Sequence, residues 1–212
     1  MEHQFTHSKT YRYRLLHGDR PVKKVLYVLH GYGHLIEYFI WKFQKTPEDL
    51  LIVAPEGMHR FYLKGTEGHV GASWMTKEAR ETDIEDTISY LNELDKQISS
   101  SYPIKKRYLL GFSQGGATAA RWEQLGTVKF DALILWACVF PPDLNPWTME
   151  KTASRNHFFV MGSEDEFFST DKQQKLVDHY DAMGYQIIPY LGKHDLNNET
   201  LTKILGQIET NS

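Results

Sequence analysis

Leu109-Leu110-Gly111-Phe112-Ser113-Gln114-Gly115-Gly116 reads as a strand that ends on a serine and turns at once into a helix. Glycines two positions to either side of Ser113 permit so sharp a turn, because larger side chains there would collide with it. The turn puts Ser113 at strained, positive φ and points its hydroxyl outward. Composition alone yields a G-x-S-x-G in a chain of this length with a probability of roughly 5 to 10%, so context has to carry the reading. It does: Arg107-Tyr108-Leu109-Leu110 is an apolar run of strand length, and residues 117–121 continue as a helix that Gly126 stops.

Outward from this elbow, the 212 residues suit one domain, 1–212, with a single sizeable core. A net charge of -3 without a basic, aromatic-interleaved cluster argues against nucleic acid or a membrane surface as partner. The longest apolar run, residues 132–140, ends in Pro141-Pro142 and is too short to span a bilayer, so no membrane insertion is expected. Residues 1–14 have no apolar centre of the kind a secretory leader needs, and the lone Cys138 suits a reducing compartment; a cytoplasmic location is expected.

Buried strands are expected at residues 24–30, 50–54, 107–110, 131–137, 157–161 and 185–190. An alternating edge hairpin is expected at residues 10–21, with the turn at His17-Gly18-Asp19-Arg20-Pro21. Helices are expected at 36–44, 82–98, 170–183 and 199–208; Ile84, Ile88, Leu91, Leu94 and Ile98 make the second a core-packing stripe. Thr170 and Gln173 suggest a capping box and Gly184 a helix end. Residues 56–80 show no period, and their aromatics suggest the ordered wall of a pocket, with disorder the alternative. Strands alternating with helices imply an α/β fold with a mostly parallel sheet of about seven strands covered on both faces.

Ligands of such sheets bind beyond the carboxyl ends of the strands, so Gly31-Tyr32-Gly33, Ser113, Cys138, Asp165 and His194 should converge. A serine hydroxyl needs a base to take its proton and a carboxylate to hold that base. Ser113, Asp165 and His194 follow in nucleophile, acid, base order. Asp165 ranks first among Glu164, Asp165 and Glu166, with Glu164 its competitor. The oxyanion of an attacked carbonyl needs fixed donors, for which the backbone amides of Gln114 and Tyr32 are the candidates. His30 and His34 are four apart, but the glycines between them deny a shared helical face, so no metal is expected.

Leu29-His30-Gly31-Tyr32-Gly33, Ala54-Pro55-Glu56-Gly57, Ser73-Trp74, the GFSQGG segment, Gly162 with Asp165 and Gly192 with His194 together resemble the phospholipase/carboxylesterase family of α/β-hydrolases, which includes the acyl-protein thioesterases. The resemblance spans nearly the whole chain. It implies a serine hydrolase of small-molecule carboxylic esters or thioesters, with a minimal cap and no cofactor, and it allows a homodimer. It carries Ser113, Asp165 and His194 as the triad and Tyr32 and Gln114 as amide donors, and it sets Trp74 beside the acyl site. This chain departs from the family at His34 (usually aspartate), Met161 (histidine) and Lys193 (glycine), and Glu166-Phe167-Phe168 replace small residues, so the pocket mouth is its own. Phe140, Trp147 and Phe167 are further pocket candidates, and the short span 139–156 suggests an open site for short or medium acyl groups. Two other functions fit the same residues: cleavage of a peptide or carbon-carbon bond, or a binding module without catalysis.

Overall fold

The computed structural model describes residues 3–145 and 156–211. Its main sheet has seven strands in the order β1-β3-β2-β6-β7-β8-β9. These are β1 (Tyr13–Leu16), β2 (Lys24–Leu29), β3 (Leu50–Pro55), β6 (Lys106–Phe112), β7 (Ala132–Trp136), β8 (Asn156–Gly162) and β9 (Gln186–Tyr190). All pairs are parallel except β1 with β3. The architecture is that of an α/β hydrolase. Pro189 falls in the outer strand β9, where a missing N–H breaks no central ladder, and Pro55 closes β3 at its last residue.

The unbroken apolar runs follow from burial on both faces. In β2, Val25, Tyr27 and Leu29 enter one core layer while Leu26 and Val28 enter the other. The first layer lies beneath α2 (Arg80–Ser101), α3 (Gln114–Leu125) and α4 (Thr170–Ala182). The second is covered by α1 (Ile36–Phe39), its 3-10 continuation Ile40–Phe43, and α5 (Asn198–Thr210). Each fully buried large apolar side chain contributes about 1.5–3 kcal/mol, so two filled layers fix the sheet firmly enough to aim its loops.

Four expectations are corrected. Residues 10–21 form no hairpin with the strand that follows: β1 pairs antiparallel with β3, Tyr13 opposite Pro55, because β3 and β6 already occupy both edges of β2. Residues 56–80 are not irregular but contain the hairpin β4 (His59–Tyr62) and β5 (Val70–Ser73). Its pattern is hidden because the hairpin packs on loops; any side chain at Gly71 would meet the backbone of Gly33. No capping box starts α4, whose N-cap is Ser169 without a side-chain bond. Gln173 instead donates its side-chain amide to the carbonyls of Asp165 and Phe168. Cys138 does not join the post-strand residues at the site; it is buried against Gly116 and Tyr180, and burial pushes its thiol up to about 12. Gly184 ends α4 at φ 80° as expected.

Candidate active site

Ser113 stands between β6 and α3 at φ 53°, a region costly for any residue with a β-carbon. The fold holds it there by close backbone approach. A side chain at Gly111 would strike the first turn of α3, one at Gly115 the carbonyls of Leu29 and His30, and one at Gly116 the Cys138 side chain. The elbow therefore depends on glycines for clearance to its neighbours as well as for the turn itself. Ser113 is partly exposed, and its side chain caps no amide of α3.

The loop after β2 passes directly beside it. A β-carbon on Gly31 would lie 3.3 Å from Cβ of Ser113 and 3.1 Å from the Phe112 ring. The Gly33 amide donates to the Ala72 carbonyl at 2.8 Å, with φ 77° at Gly33. Among the described residues, neither the Tyr32 nor the Gln114 amide donates to a backbone carbonyl. Two N–H groups on adjoining backbone segments thus have no backbone acceptor.

Beneath this loop His30 is fully buried, and both its ring nitrogens are engaged. Nδ1 meets the Gly31 carbonyl at 2.8 Å, and Nε2 accepts from the Gly57 amide at 2.9 Å. Burial holds the imidazole neutral, lowering it to about 4. Trp74 is 1% exposed and donates its indole N–H to the His30 carbonyl at 2.8 Å, so its ring is part of the core under the site. The Gln114 side chain ties α3 to the segment after β5: its oxygen accepts from the Trp74 amide at 3.2 Å, and its nitrogen donates to the Met75 carbonyl at 2.9 Å. Glu56, in the loop after β3, is held by Arg12 and Arg60 at 2.7 and 2.6 Å. Burial pushes its carboxyl up, but those two guanidiniums outweigh it and leave it below its usual range.

On the other side of Ser113 the loops after β8 and β9 meet. The Glu164 amide donates to the Gly192 carbonyl and the Ser163 amide to the Tyr190 carbonyl, both at 2.9 Å. Gly162 and Gly192 permit this approach: a side chain on the first would enter the backbone at 192–193, and one on the second the Tyr190 ring. Asp165, 2% exposed, bonds Nδ1 of His194 through Oδ2 at 2.7 Å, while its Oδ1 accepts from the Phe167 amide at 3.0 Å. Of the three neighbouring carboxylates it is Asp165 that meets the imidazole. Glu164 is exposed, and Glu166 accepts instead from the His194 backbone N–H at 3.2 Å.

The His194 ring lies 5.0 Å from Phe112, the residue before Ser113, and 4.4 Å from the exposed ring of Phe167. Tyr190, whose pattern marked it only as a strand end, directs its hydroxyl at the carbonyls of Lys193 and Asp195, bracketing the imidazole. Gln173 braces the acid loop from α4. Neither residue type at a strand end or in a first helical turn signals such a role, so sequence reasoning missed both. His34 stacks on Phe112 at 5.8 Å.

Phe140 is 6% exposed and lines a groove of about 450 Å³ that begins at Gln114 and runs along α3. Phe167 stands apart from it over the imidazole, and Trp147 lies outside the described residues, as does most of the span 139–156. Among the described residues no helix is long and apolar enough to cross a membrane.

Residues 21–203 match the family model described as serine hydrolase (FSH1). A comparison with curated protein sequences finds no match. Among solved structures, the fold is similar to acyl-protein thioesterase 2 of Zea mays, with TM-score 0.69 and 16% identity over 94% of this chain and 98% of that one. It is similar to a carboxylesterase of Mesorhizobium loti, with TM-score 0.69, 16% identity and 95% of each chain covered. A carboxylesterase of Bacillus cereus gives TM-score 0.66, 16% identity and the same coverage.

Proposed function

Because the chain belongs to the serine hydrolase (FSH1) family, we propose that it cleaves carboxylic esters or thioesters, with Ser113 as nucleophile, His194 as base and Asp165 as the acid that orients the base. The observation that carries this reading is the 2.7 Å bond between the buried Asp165 carboxylate and Nδ1 of His194. A carboxylate at that nitrogen fixes the tautomer with its proton on Nδ1 and leaves Nε2 free to accept another.

Nε2 takes the proton of Ser113 as Oγ attacks the carbonyl carbon. The oxyanion is received by the amides of Tyr32 and Gln114, which are fixed before the substrate arrives and need no reorganisation. Collapse breaks the carbon-oxygen or carbon-sulfur bond, and the imidazolium returns the proton to the leaving alcohol or thiol. Water then attacks the acyl-enzyme, with His194 again the base, releasing the carboxylic acid and restoring Ser113. The similarity in fold to an acyl-protein thioesterase and to carboxylesterases favours this substrate class over a peptide or carbon-carbon bond.

Replacing Ser113 by alanine should lower aryl-ester turnover by at least about 10⁴-fold and abolish labelling by a fluorophosphonate, with the unfolding midpoint almost unchanged. Undiminished hydrolysis by that variant would remove the proposal.

A further inference from the structure

The groove that starts at Gln114 is lined by Ala117 and Arg121 of α3, by Met75, Lys77 and Arg80 on one bank, and by the loop from Val139 to Pro142 on the other. Its volume, about 450 Å³, lies within the range of ordinary small-molecule sites. The floor and one bank are apolar. The charges are one-sided: Lys77, Arg80 and Arg121 line the groove, and no carboxylate is among its described lining residues.

Asp143 offsets the arginines only in part. It receives Nε and Nη2 of Arg121 at 2.8 and 2.7 Å and is paired with Arg80 as well, one carboxylate serving two guanidiniums. Arg121 is 5% exposed, so that pair is fixed in place. Lys77 is exposed at the rim and, among the described residues, has no ion-pair partner. Counting Asp143, three cations face one anion.

The direction of the groove decides which half of a substrate it takes. In the reaction proposed above, the leaving group departs toward the imidazole that protonates it. None of the described groove residues belongs to the loops that carry Asp165 and His194. The groove therefore receives the part that stays on Ser113, the acyl chain. We infer that this chain selects esters or thioesters whose acyl group carries a carboxylate at its far end, with Lys77 as the specificity-determining residue. The apolar bank of Val139, Phe140 and Pro141 packs the methylenes, and the Lys77 ammonium meets the terminal anion. The product is then a dicarboxylate. This inference rests on the proposed ester or thioester hydrolysis at Ser113.

The test compares aryl hemiglutarate with aryl pentanoate, of equal acyl length, on the wild-type chain and on Lys77→Ala and Lys77→Glu. Wild type should favour the hemiglutarate in kcat/KM. Lys77→Ala should lower that value about two- to fivefold, the size expected when a solvent-exposed ion pair is lost. Lys77→Glu should lower it further, while pentanoate hydrolysis stays within about twofold. The preference should weaken as salt is raised. Equal effects on both esters, or a wild type that favours pentanoate, would overturn the inference while leaving ester hydrolysis intact. Calorimetry with the Ser113→Ala variant, which needs no turnover, measures hemiglutarate binding directly. Weaker binding when Lys77→Glu is added upholds the groove even if no ester is cleaved, and unchanged binding rejects it.

Discussion

On one side of Ser113, the loop after β2 rests on groups sealed from water, His30 with both nitrogens engaged and the Trp74 indole on the His30 carbonyl, while the half-buried Gln114 side chain grips residues 74 and 75. On the other side, the loop of His194 hangs on partly exposed contacts: the Tyr190 hydroxyl, the Glu166 carboxylate, and the ion pair of Lys42 with Asp195 at 2.6 Å. Asp165 is buried there, as is the Trp136 indole that donates to the Asp195 carbonyl at 3.1 Å. The contrast separates stability from turnover. A broken bond in the sealed half leaves a buried polar group unmet, which costs about 1–3 kcal/mol of folding. In the exposed half water takes the vacated place, and the loss falls on how well the imidazole is aimed.

The strongest way to break this contrast is Asp165→Asn. The amide keeps the shape but removes the charge that holds the imidazole tautomer, so kcat should fall about 10⁴-fold, with the unfolding midpoint almost unchanged. A large loss of stability without a loss of turnover would place Asp165 with the structural groups.

Next comes the pH dependence of folding through His30. Its ordinary value of 6.5 is lowered to about 4 in the folded chain, chiefly by burial. Between those two pH values the unfolded chain binds a proton on this imidazole that the folded chain refuses. The contribution is therefore whole above pH 6.5 and is lost as pH falls toward 4, amounting to about 3 kcal/mol. Urea unfolding across that window measures it, and His30→Gln should flatten the slope. A wild-type stability constant between pH 6.5 and 4 would refute the sealed half.

The smallest effect sharpens the comparison. Tyr190→Phe removes the hydroxyl that brackets His194 and should lower kcat about tenfold, or about 1.4 kcal/mol of barrier, with KM unchanged. Fluorophosphonate labelling of Ser113 should slow in parallel. If the unfolding midpoint fell by many degrees and kcat did not change, the hydroxyl would belong to the fold and not to the aim of the base.

The elements legible in the chain are those set by neighbours along it. The two-sided apolar run of β2, the core stripe of α2 and the strand-serine-helix passage at Ser113 all appear where the pattern put them. So does the adjacency of Asp165 and His194, since residues just beyond the carboxyl ends of neighbouring parallel strands come together wherever the sheet forms. Residues 56–80 were opaque because their strands have no apolar face of their own; Phe61 and Tyr62 alternate between partly buried and exposed positions. Gln173 read as a cap because the spacing fits one, yet in the fold its amide lies nearer to the carbonyls of the acid loop.

By itself the sequence determined the alternation of strand and helix, the elbow at Ser113 and the placing of Asp165 and His194 just beyond strand ends, all of which are written in local sterics and hydrophobic period. Only the tertiary structure decided that β1 lies against β3, that Asp165 and not Glu164 meets the imidazole, and that Lys77, Arg80 and Arg121 line one groove. Those outcomes depend on distances between residues far apart in the chain, and such distances exist only after the two core layers have closed on the sheet.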